Sequence, residues 1–343
     1  MRSIGRREFL GRAALGVGAV AVAPSLLAAC GSDSKSSSAG ASDGGSGLEK
    51  VTFQSAWVND AEFAGFFVAA DNGYYAEEGL NLNYLPGGPD VIPEAVLLAG
   101  QADVAMSTVE STVKAILDEG APFKIIGAQY QKSPLGIVSL ASSNIKTPND
   151  LVGKTLAVPP INVLTVEAML AANDIDKSSV NIVPYEYDPT PLVEGEVDAT
   201  VDFTTNVPYS IEQLGYEPAS FLIYDFGFPV YNDTVIVTED TLADRRDTLV
   251  RWMKATRKGW VENFKDPAHY PPTFADTWFK GTGRDIENEI YFNEVQKPLI
   301  EHPDGIFSMT PADIQKNIDS LAEVGLTATE DMFVLDILEE VNG

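Results

Sequence analysis

From Val51 onward, short runs of β-branched and aromatic residues alternate with longer stretches whose apolar positions recur at helical spacing. In a first series, VTFQSAW, LNLNYL, ADVAMS and FKIIGAQY read as strands, separated by helices around Phe63 to Glu78, Ile92 to Leu98 and Thr112 to Glu119. A second series follows SSNIKTPNDLVG: strands KTLAVP, VNIVPYEY, VDATVDF and ASFLIYDF, with helices around Val163 to Ala172, near Pro191 to Glu194 and around Pro208 to Leu214. Such alternation predicts an α/β fold with largely parallel strands. Two series predict two lobes: residues 49–142 resumed at 234–343, and residues 143–233. In the tail, Leu242, Leu249, Met253, Trp260 and Phe264 keep helical spacing, as do segments near 286–300, 311–323 and 331–341. No unit of 20 to 50 residues recurs, which excludes a solenoid.

The first 48 residues follow another pattern. RREFLG (Arg6 to Gly11) precedes an Ala- and Gly-rich apolar stretch from Ala13 to Ala29, which ends in LLAAC at Cys30. This resembles a twin-arginine export signal followed by a lipobox, with residues 1–29 as the signal peptide and the Cys30 thiol as the lipid attachment point. The apolar stretch is short of the roughly 20 strongly apolar residues that a membrane span needs. Residues 30–48 are almost all Gly, Ser, Ala and Asp and read as a tether with a reach of roughly 20 to 25 Å. Cys30 is the only cysteine, so lipid rather than a disulfide explains it. The expected location is outside the cell, held by lipid to the outer face of the cell membrane or on the periplasmic side.

Composition narrows the function. The 343 residues are 45% hydrophobic and 21% charged, enough for one large or two medium cores. With 23 basic against 50 acidic residues the net charge is −27, which argues against nucleic acid as a partner. The only histidines, His269 in DPAHYPP and His302 in IEHPDG, lie in Pro-containing loop sequence without a His or Cys at ligand spacing. No nucleophile elbow, zincin, Walker or cysteine-cluster motif occurs. The expectation is no enzyme, no cofactor and no metal. LPGGPD (Leu85 to Asp90) could present N–H groups to an anion but reads first as a turn.

Binding is better supported, because ligands of open α/β sheets sit beyond the carboxyl ends of strands, where helices begin. Trp57 and Asn59 follow the first strand, Ser107 and Thr108 follow ADVAM, and Gln129, Tyr130 and Gln131 follow FKIIGA. In the second series Asn162 follows KTLAVPP, Tyr187 and Asp188 end VNIVPYEY, and Thr204 to Asn206 end VDATVDF. Phe63, Phe67, Ala70 and Tyr74 form a helix face directed at a core, with Phe66 a candidate to line the cleft beside Trp57. Glu62, three residues after Asn59, reads as the partner in a capping box.

These segments resemble a known family. WVNDAEFAGFFVAADNGYYAEEGL, LPGGPDVIPEAVLLAGQADVAMS and SSNIKTPNDLVGKTLAVP are similar to the substrate-binding proteins of ABC importers for nitrate, sulfonates, taurine and thiamine pyrimidine precursors, over roughly residues 51–265. The resemblance implies a two-lobed type II periplasmic-binding-protein fold with the ligand in the cleft between lobes, ABC permease subunits as partners, and a monomer. The candidate positions hold no Lys or Arg, which disfavours nitrate and sulfonates and favours a flat, mostly uncharged heterocycle stacked on Trp57 or Tyr130. Within the family this points to a thiamine pyrimidine precursor, with a flavin of the riboflavin type, or a nitrate, sulfonate or taurine, as alternatives. An aminopyrimidine calls for a carboxylate, for which Asp188, Glu110 and Asp202 are the candidates. The same superfamily holds an enzyme that builds the pyrimidine from pyridoxal phosphate and its own histidine. It depends on a cysteine-rich motif and a donor histidine, whereas this chain has one cysteine and no histidine before His269. An exported signalling or adhesion lipoprotein is a further class; a bound small molecule would count against it.

Overall fold

The computed structural model describes residues 47–342 except Glu186. Cys30, the signal-like segment and most of the tether lie outside the described residues. The body consists of two five-stranded sheets. The first contains β1 (Glu49–Gln54), β2 (Leu80–Leu85), β3 (Val104–Ser107), β4 (Phe123–Tyr130) and β10 (Asn232–Thr238) in the order β2-β1-β3-β10-β4. The second contains β5 (Leu135–Leu140), β6 (Thr155–Val158), β7 (Asn181–Pro184), β8 (Ala199–Phe203) and β9 (Pro218–Leu222) in the order β7-β6-β8-β5-β9.

Parallel pairing holds where the chain alternates strand and helix: β1 with β2 and β3, β6 with β7 and β8. Each sheet also has one strand running against its neighbours, β10 between β3 and β4, and β5 between β8 and β9. The sequence reading did not include these two strands. Its boundary near Ser143 is therefore corrected: Ile137 pairs with Val201 and Phe221, so β5 belongs to the second lobe and the first crossing is the four-residue stretch 131–134. The return crossing runs from Ile223 to Tyr231. The crossings are bonded to each other, Ser133 N donating to the Val230 carbonyl (3.2 Å) and Asn232 Nδ2 to Ser133 Oγ (3.1 Å).

The first lobe is built around helix Arg246–Asn263 lying on helix Ala64–Asp71. They approach this closely because both carry glycine at the contact. A Cβ on Gly259 would lie 2.0 Å from the Gly65 carbonyl, and one on Gly65 would lie 2.2 Å from the Trp260 ring. The expected helix from Phe63 to Glu78 is interrupted: a 3-10 turn (Ala61–Phe63) leads into Ala64–Asp71, and Gly73, with φ of 75°, starts a separate turn at Tyr74–Glu77. Phe66 lies wholly inside this lobe, stacked on Phe53 (4.7 Å, 13°) and tilted against Trp252. It is a core residue and not a cleft wall, because helix Ala64–Asp71 is apolar nearly all round. No described helix is long and apolar enough to cross a membrane.

Candidate functional site

The LPGGPD turn positions Trp57. The Gly87 N–H donates to the Trp57 carbonyl (2.9 Å) and to Ser55 Oγ (2.8 Å), and Ser55 Oγ itself donates to the Trp57 carbonyl (2.9 Å). A Cβ at Gly87 would stand 2.5 Å from the Ser55 carbonyl, so only glycine lets the turn come this near. The Gly87 N–H is thereby aimed at Trp57 and not at an anion. Across the cleft, Tyr187 lies in the loop between β7 and helix Thr190–Val193, with a left-handed backbone (φ 60°) that is rare for an aromatic residue. Its ring is 5.5 Å from that of Trp57 at 58°, and 5.8 Å from that of Tyr185. One lobe thus supplies Trp57 and the other Tyr187. Strained backbone of this kind concentrates at ligand clamps.

The cleft floor lies where β4 ends and β10 begins. Gln129 and Asp233 are buried there beside Glu62, with Gln129 Nε2 donating to the Glu62 carbonyl (2.9 Å) and to Asp233 Oδ2 (3.1 Å). Asp233 holds a left-handed backbone, φ 50°. Asp60 caps the turn at Ala61–Phe63 by accepting from Glu62 N (3.0 Å), so Asp60 is the cap in place of Asn59, and the Glu62 carboxyl is free to face Asp233. The capping-box reading of Glu62 is corrected accordingly. Arg284 is ion-paired with Asp60 and stands 3.7 Å from Glu289 Oε1, while Glu289 Oε2 accepts from Ala61 N (2.6 Å).

Burial drives the electrostatics of the floor. It pushes the Asp233 carboxyl up to about 7, an effect eased by the Glu62 hydrogen bond and reinforced by the Asp60 charge. Burial raises Glu62 further, and the charges of Asp233 and Asp60 add to this. The two acids therefore do not both ionise and share one proton between them. Glu289 is pushed up to about 8, again chiefly by burial and then by Asp60. On the second lobe Asp202 is raised to about 7 by burial, with the nearby Tyr185 and Thr200 hydroxyls offsetting only part. These hydroxyls stand close, yet Asp202 Oδ2, Tyr185 Oη and Thr200 Oγ1 close no hydrogen bond of ordinary geometry. In the first lobe Gln129 Oε1 and Asn59 Oδ1 are likewise buried without a protein partner.

The remaining candidates divide between cleft and seam. Asn59 lies beside Trp57 but turns its Nδ2 to the Trp278 carbonyl (3.0 Å). Ser107 is buried at the end of β3, and Thr108 caps helix Val109–Glu119 by accepting from Ser111 N (3.2 Å). Tyr130 is fully buried, donates to Gln296 Oε1 (2.7 Å) and meets Phe203 of the second lobe edge-on at 6.1 Å, so its faces are not open for stacking. Asn162 is half-buried ahead of helix Val163–Ala172 and makes no capping bond. Asp188 is exposed and accepts from Thr190 N (2.9 Å), bonds that also lower its pKa; it shapes the Tyr187 loop and is not a buried cleft carboxylate. Asn206 Oδ1 accepts from Asn288 Nδ2 (2.8 Å), which joins the lobes, and Tyr209 lies 5.3 Å from Tyr291 at the same seam. Glu110 accepts from Thr165 Oγ1 across the seam at 3.5 Å, and burial lifts it to about 7.

Sequence reasoning missed Asp60, Asp233, Arg284, Glu289 and Tyr185 as part of the site and gave Glu62 another role. A glutamate set within an apolar helix start, as in AEFAGFF, was the available signal for Glu62. Asp233 had none, because the strand it opens was itself unrecognised. Among the described residues no group of three or more His, Cys, Asp or Glu is arranged to hold a metal ion.

Two sheets of matching strand order, joined by two crossings and closing on a shared cleft, define a two-lobed periplasmic-binding-protein fold. The chain belongs to the NMT1/THI5-like family, whose profile matches residues 60–269. It is 25% identical over 283 residues to a formylaminopyrimidine-binding protein of Halalkalibacterium halodurans, covering 80% of this chain and 84% of that one. It is 24% identical to a riboflavin-binding protein of Chloroflexus aurantiacus over 64% of each chain, and 24% identical to a protein of Legionella pneumophila named 4-amino-5-hydroxymethyl-2-methylpyrimidine phosphate synthase, over 64% of this chain and 70% of that one. In fold it is similar to the periplasmic aliphatic sulphonate binding protein of Escherichia coli, with a TM-score of 0.62 at 13% identity over 85% of this chain and 97% of that one.

Proposed function

We propose that this protein is the substrate-binding component of an ABC importer and that it encloses a small aromatic heterocycle, of the thiamine pyrimidine precursor class, between its lobes. The observation that carries the reading is the Trp57 and Tyr187 pair, one ring from each lobe, above a floor where Gln129 Oε1, Asn59 Oδ1 and Asp202 Oδ2 are buried acceptors without protein partners, beside the hydroxyls of Tyr185 and Thr200. Flat rings stack on such a pair, each contact contributing about 0.5 to 1.5 kcal/mol beyond burial. Acceptors on Gln129, Asn59 and Asp202 call for N–H donors, which an aminopyrimidine has and which nitrate, sulfonates and taurine's sulfonate end lack. Arg284, the cation that the described residues place at the floor, is engaged by Asp60 and Glu289 and is not free to meet an anion. The relative named for formylaminopyrimidine binding supports the same class. A flavin is the second reading, favoured by the riboflavin-binding relative and by the aromatic pair.

In this reading Trp57, Asn59, Gln129, Tyr187 and Asp202 contact the ligand, with Ser107, Thr108 and Asn162 at the cleft rim. Cys30 carries the lipid that keeps the monomeric receptor at the outer face of the cell membrane beside its permease subunits. Thermal shift of the full chain with an aminopyrimidine, riboflavin, taurine and nitrate tests it. Ligand at 100 times its Kd adds about 2.7 kcal/mol of stability. A response to taurine or nitrate alone overturns the heterocycle reading, and turnover of the pyrimidine instead of its release unchanged overturns the receptor reading.

A further inference from the structure

We propose that the cavity where the end of helix Arg246–Asn263 meets the turn at 301–306 is a second binding site, which takes a small organic molecule carrying one carboxylate on an apolar body. The inference is independent of the function proposed above, and no residue lining this cavity belongs to the cleft.

The starting point is a guanidinium without a counter-charge. Among the described residues there are five arginines, and Arg245, Arg246, Arg251 and Arg284 each pair with a carboxylate. Arg257 pairs with none, in a chain whose acids outnumber its bases by 50 to 23. Its Nε donates to the Ile306 carbonyl (2.8 Å) and its Nη1 to the side-chain oxygen of Asn342, both uncharged, while Nη2 is buried without a protein partner. Burial lowers its pKa, and no neighbouring acid opposes this. Withdrawing a cation from water is costly unless an opposite charge replaces the lost hydration. A ligand anion supplies that charge.

Arg257 lines a cavity of about 610 Å³, within the range of about 300 to 1,000 Å³ common for small-molecule sites. Gly305, with φ of 96°, lets the backbone lie on the guanidinium: a Cβ there would stand 3.0 Å from Arg257 Cζ. The same turn fixes His302. Gly305 N donates to the His302 carbonyl (2.9 Å) and Asp304 N to His302 Nδ1 (3.1 Å), so the neutral imidazole keeps its proton on Nε2 as a donor. Lys265 also lines the cavity and pairs with Glu262 (2.6 Å), while the acid in the lining, Glu301, faces Lys297 at 3.8 Å. The rest of the wall is apolar, formed by Val261, Phe264, Pro303 and Ile306. This division selects the ligand. One uncompensated positive charge calls for one negative charge, and the apolar wall calls for an apolar body. Phosphate and sulfate bring a second charge and a hydration shell that such walls cannot replace. A carboxylate on a ring or a branched chain meets both halves.

Calorimetric titration of the full chain with phenylacetate, phenylacetamide and inorganic phosphate is the test. One equivalent of phenylacetate is expected to bind, with the uncharged amide and the phosphate each at least about tenfold weaker. Arg257→Met should weaken phenylacetate binding by about 10- to 100-fold, the loss of one bond to a charged group. Val261 is 55% exposed, so Val261→Asp leaves the fold intact and sets a like charge in the cavity wall; it should weaken binding by about tenfold. This second variant decides the matter if Arg257→Met does not fold. Absence of phenylacetate binding at about 10 mM overturns the inference, as does equal affinity for acid and amide, or undiminished binding in Val261→Asp. Phenylacetate binding that disappears in Trp57→Ala places the acid in the cleft and overturns it too. Binding of phenylacetate that follows Arg257 and Val261, with no response to any heterocycle, upholds this site while the heterocycle reading of the cleft falls.

Discussion

Trp57 and Tyr187, 130 positions apart in the chain, bring their ring centroids to 5.5 Å across the cleft, and the second of them holds a left-handed backbone to do so. Each ring belongs to a different lobe, so under the proposed function the pair should report on binding. Trp57→Ala is expected to weaken ligand affinity by about 10- to 100-fold, the sum of lost stacking and lost burial, while Tm stays within about 2 °C of wild type. Tyr187→Ala should do the same, and the double variant should lose less than the product of the two. Fully additive losses in calorimetry would show that the rings act independently.

Asn288 links the lobes away from the ligand, through its bond to Asn206 Oδ1 and a longer one to Ser210 Oγ (3.4 Å). A hydrogen bond of this kind contributes about 1 kcal/mol. Asn288→Ala should therefore raise the ligand dissociation rate about fivefold and leave the association rate unchanged. Stopped-flow measurements that find the effect in association instead would remove the seam from the closing step.

Arg284 is the cation against which Asp60 and Glu289 are buried. Arg284→Met should destabilise the body by about 3 to 5 kcal/mol, the usual cost of stranding a buried charge. The loss should shrink at pH 5, where the two carboxyls can take up protons. Denaturation midpoints equal to wild type at pH 8 would contradict this.

Stability should also depend on pH in the wild type. Burial lifts Asp233, Asp202 and Glu110 to about 7 and Glu289 to about 8, whereas in the unfolded chain such groups titrate near about 4. Between these limits the folded state holds more protons than the unfolded, so stability falls as pH rises from about 4 and levels off above about 8. Glu49 acts oppositely: bonds from Thr248, Arg245 and Arg251 hold it down to about 2, and its contribution is present above about 4 and lost towards pH 2. The maximum should fall near pH 4, and Tm at pH 5 should still be on the order of 5 °C higher than at pH 8. A Tm that increases from pH 5 to pH 8 would be incompatible with these buried acids.

The parallel strands were legible because a helical or turn pattern follows each apolar or alternating run, as KTLAVP before Val163 to Ala172 illustrates. LGIVSL and NDTVIVT were not, although both are rich in β-branched residues. Each follows a crossing that contains a proline, Pro134 or Pro229, and no helix precedes it to mark the rhythm. Of the two rings expected to stack, Trp57 and Tyr130, the second is buried in the core, and Tyr187 was read only as a residue at a strand end. The acidic floor was hidden because it is assembled from positions as distant as Asp60 and Glu289, and because a lone acid in sequence carries no sign of being buried. Phe66 shows the opposite error, since helical spacing alone did not separate a core face from a cleft face.

The strand order also fixes a sequence of events in time. All five strands of the second sheet lie within residues 135–222, and its inner strand β5 is the first of them to be made. In the first sheet the strand that joins β3 to β4 is β10, made last, after the whole of the other lobe has been synthesised. As the chain grows from its N-terminus, the second lobe can close while the first is still divided into β2-β1-β3 and a solitary β4. The half that begins first is therefore completed last, and the acidic floor is whole only after Asp233, and then Arg284 and Glu289, have arrived.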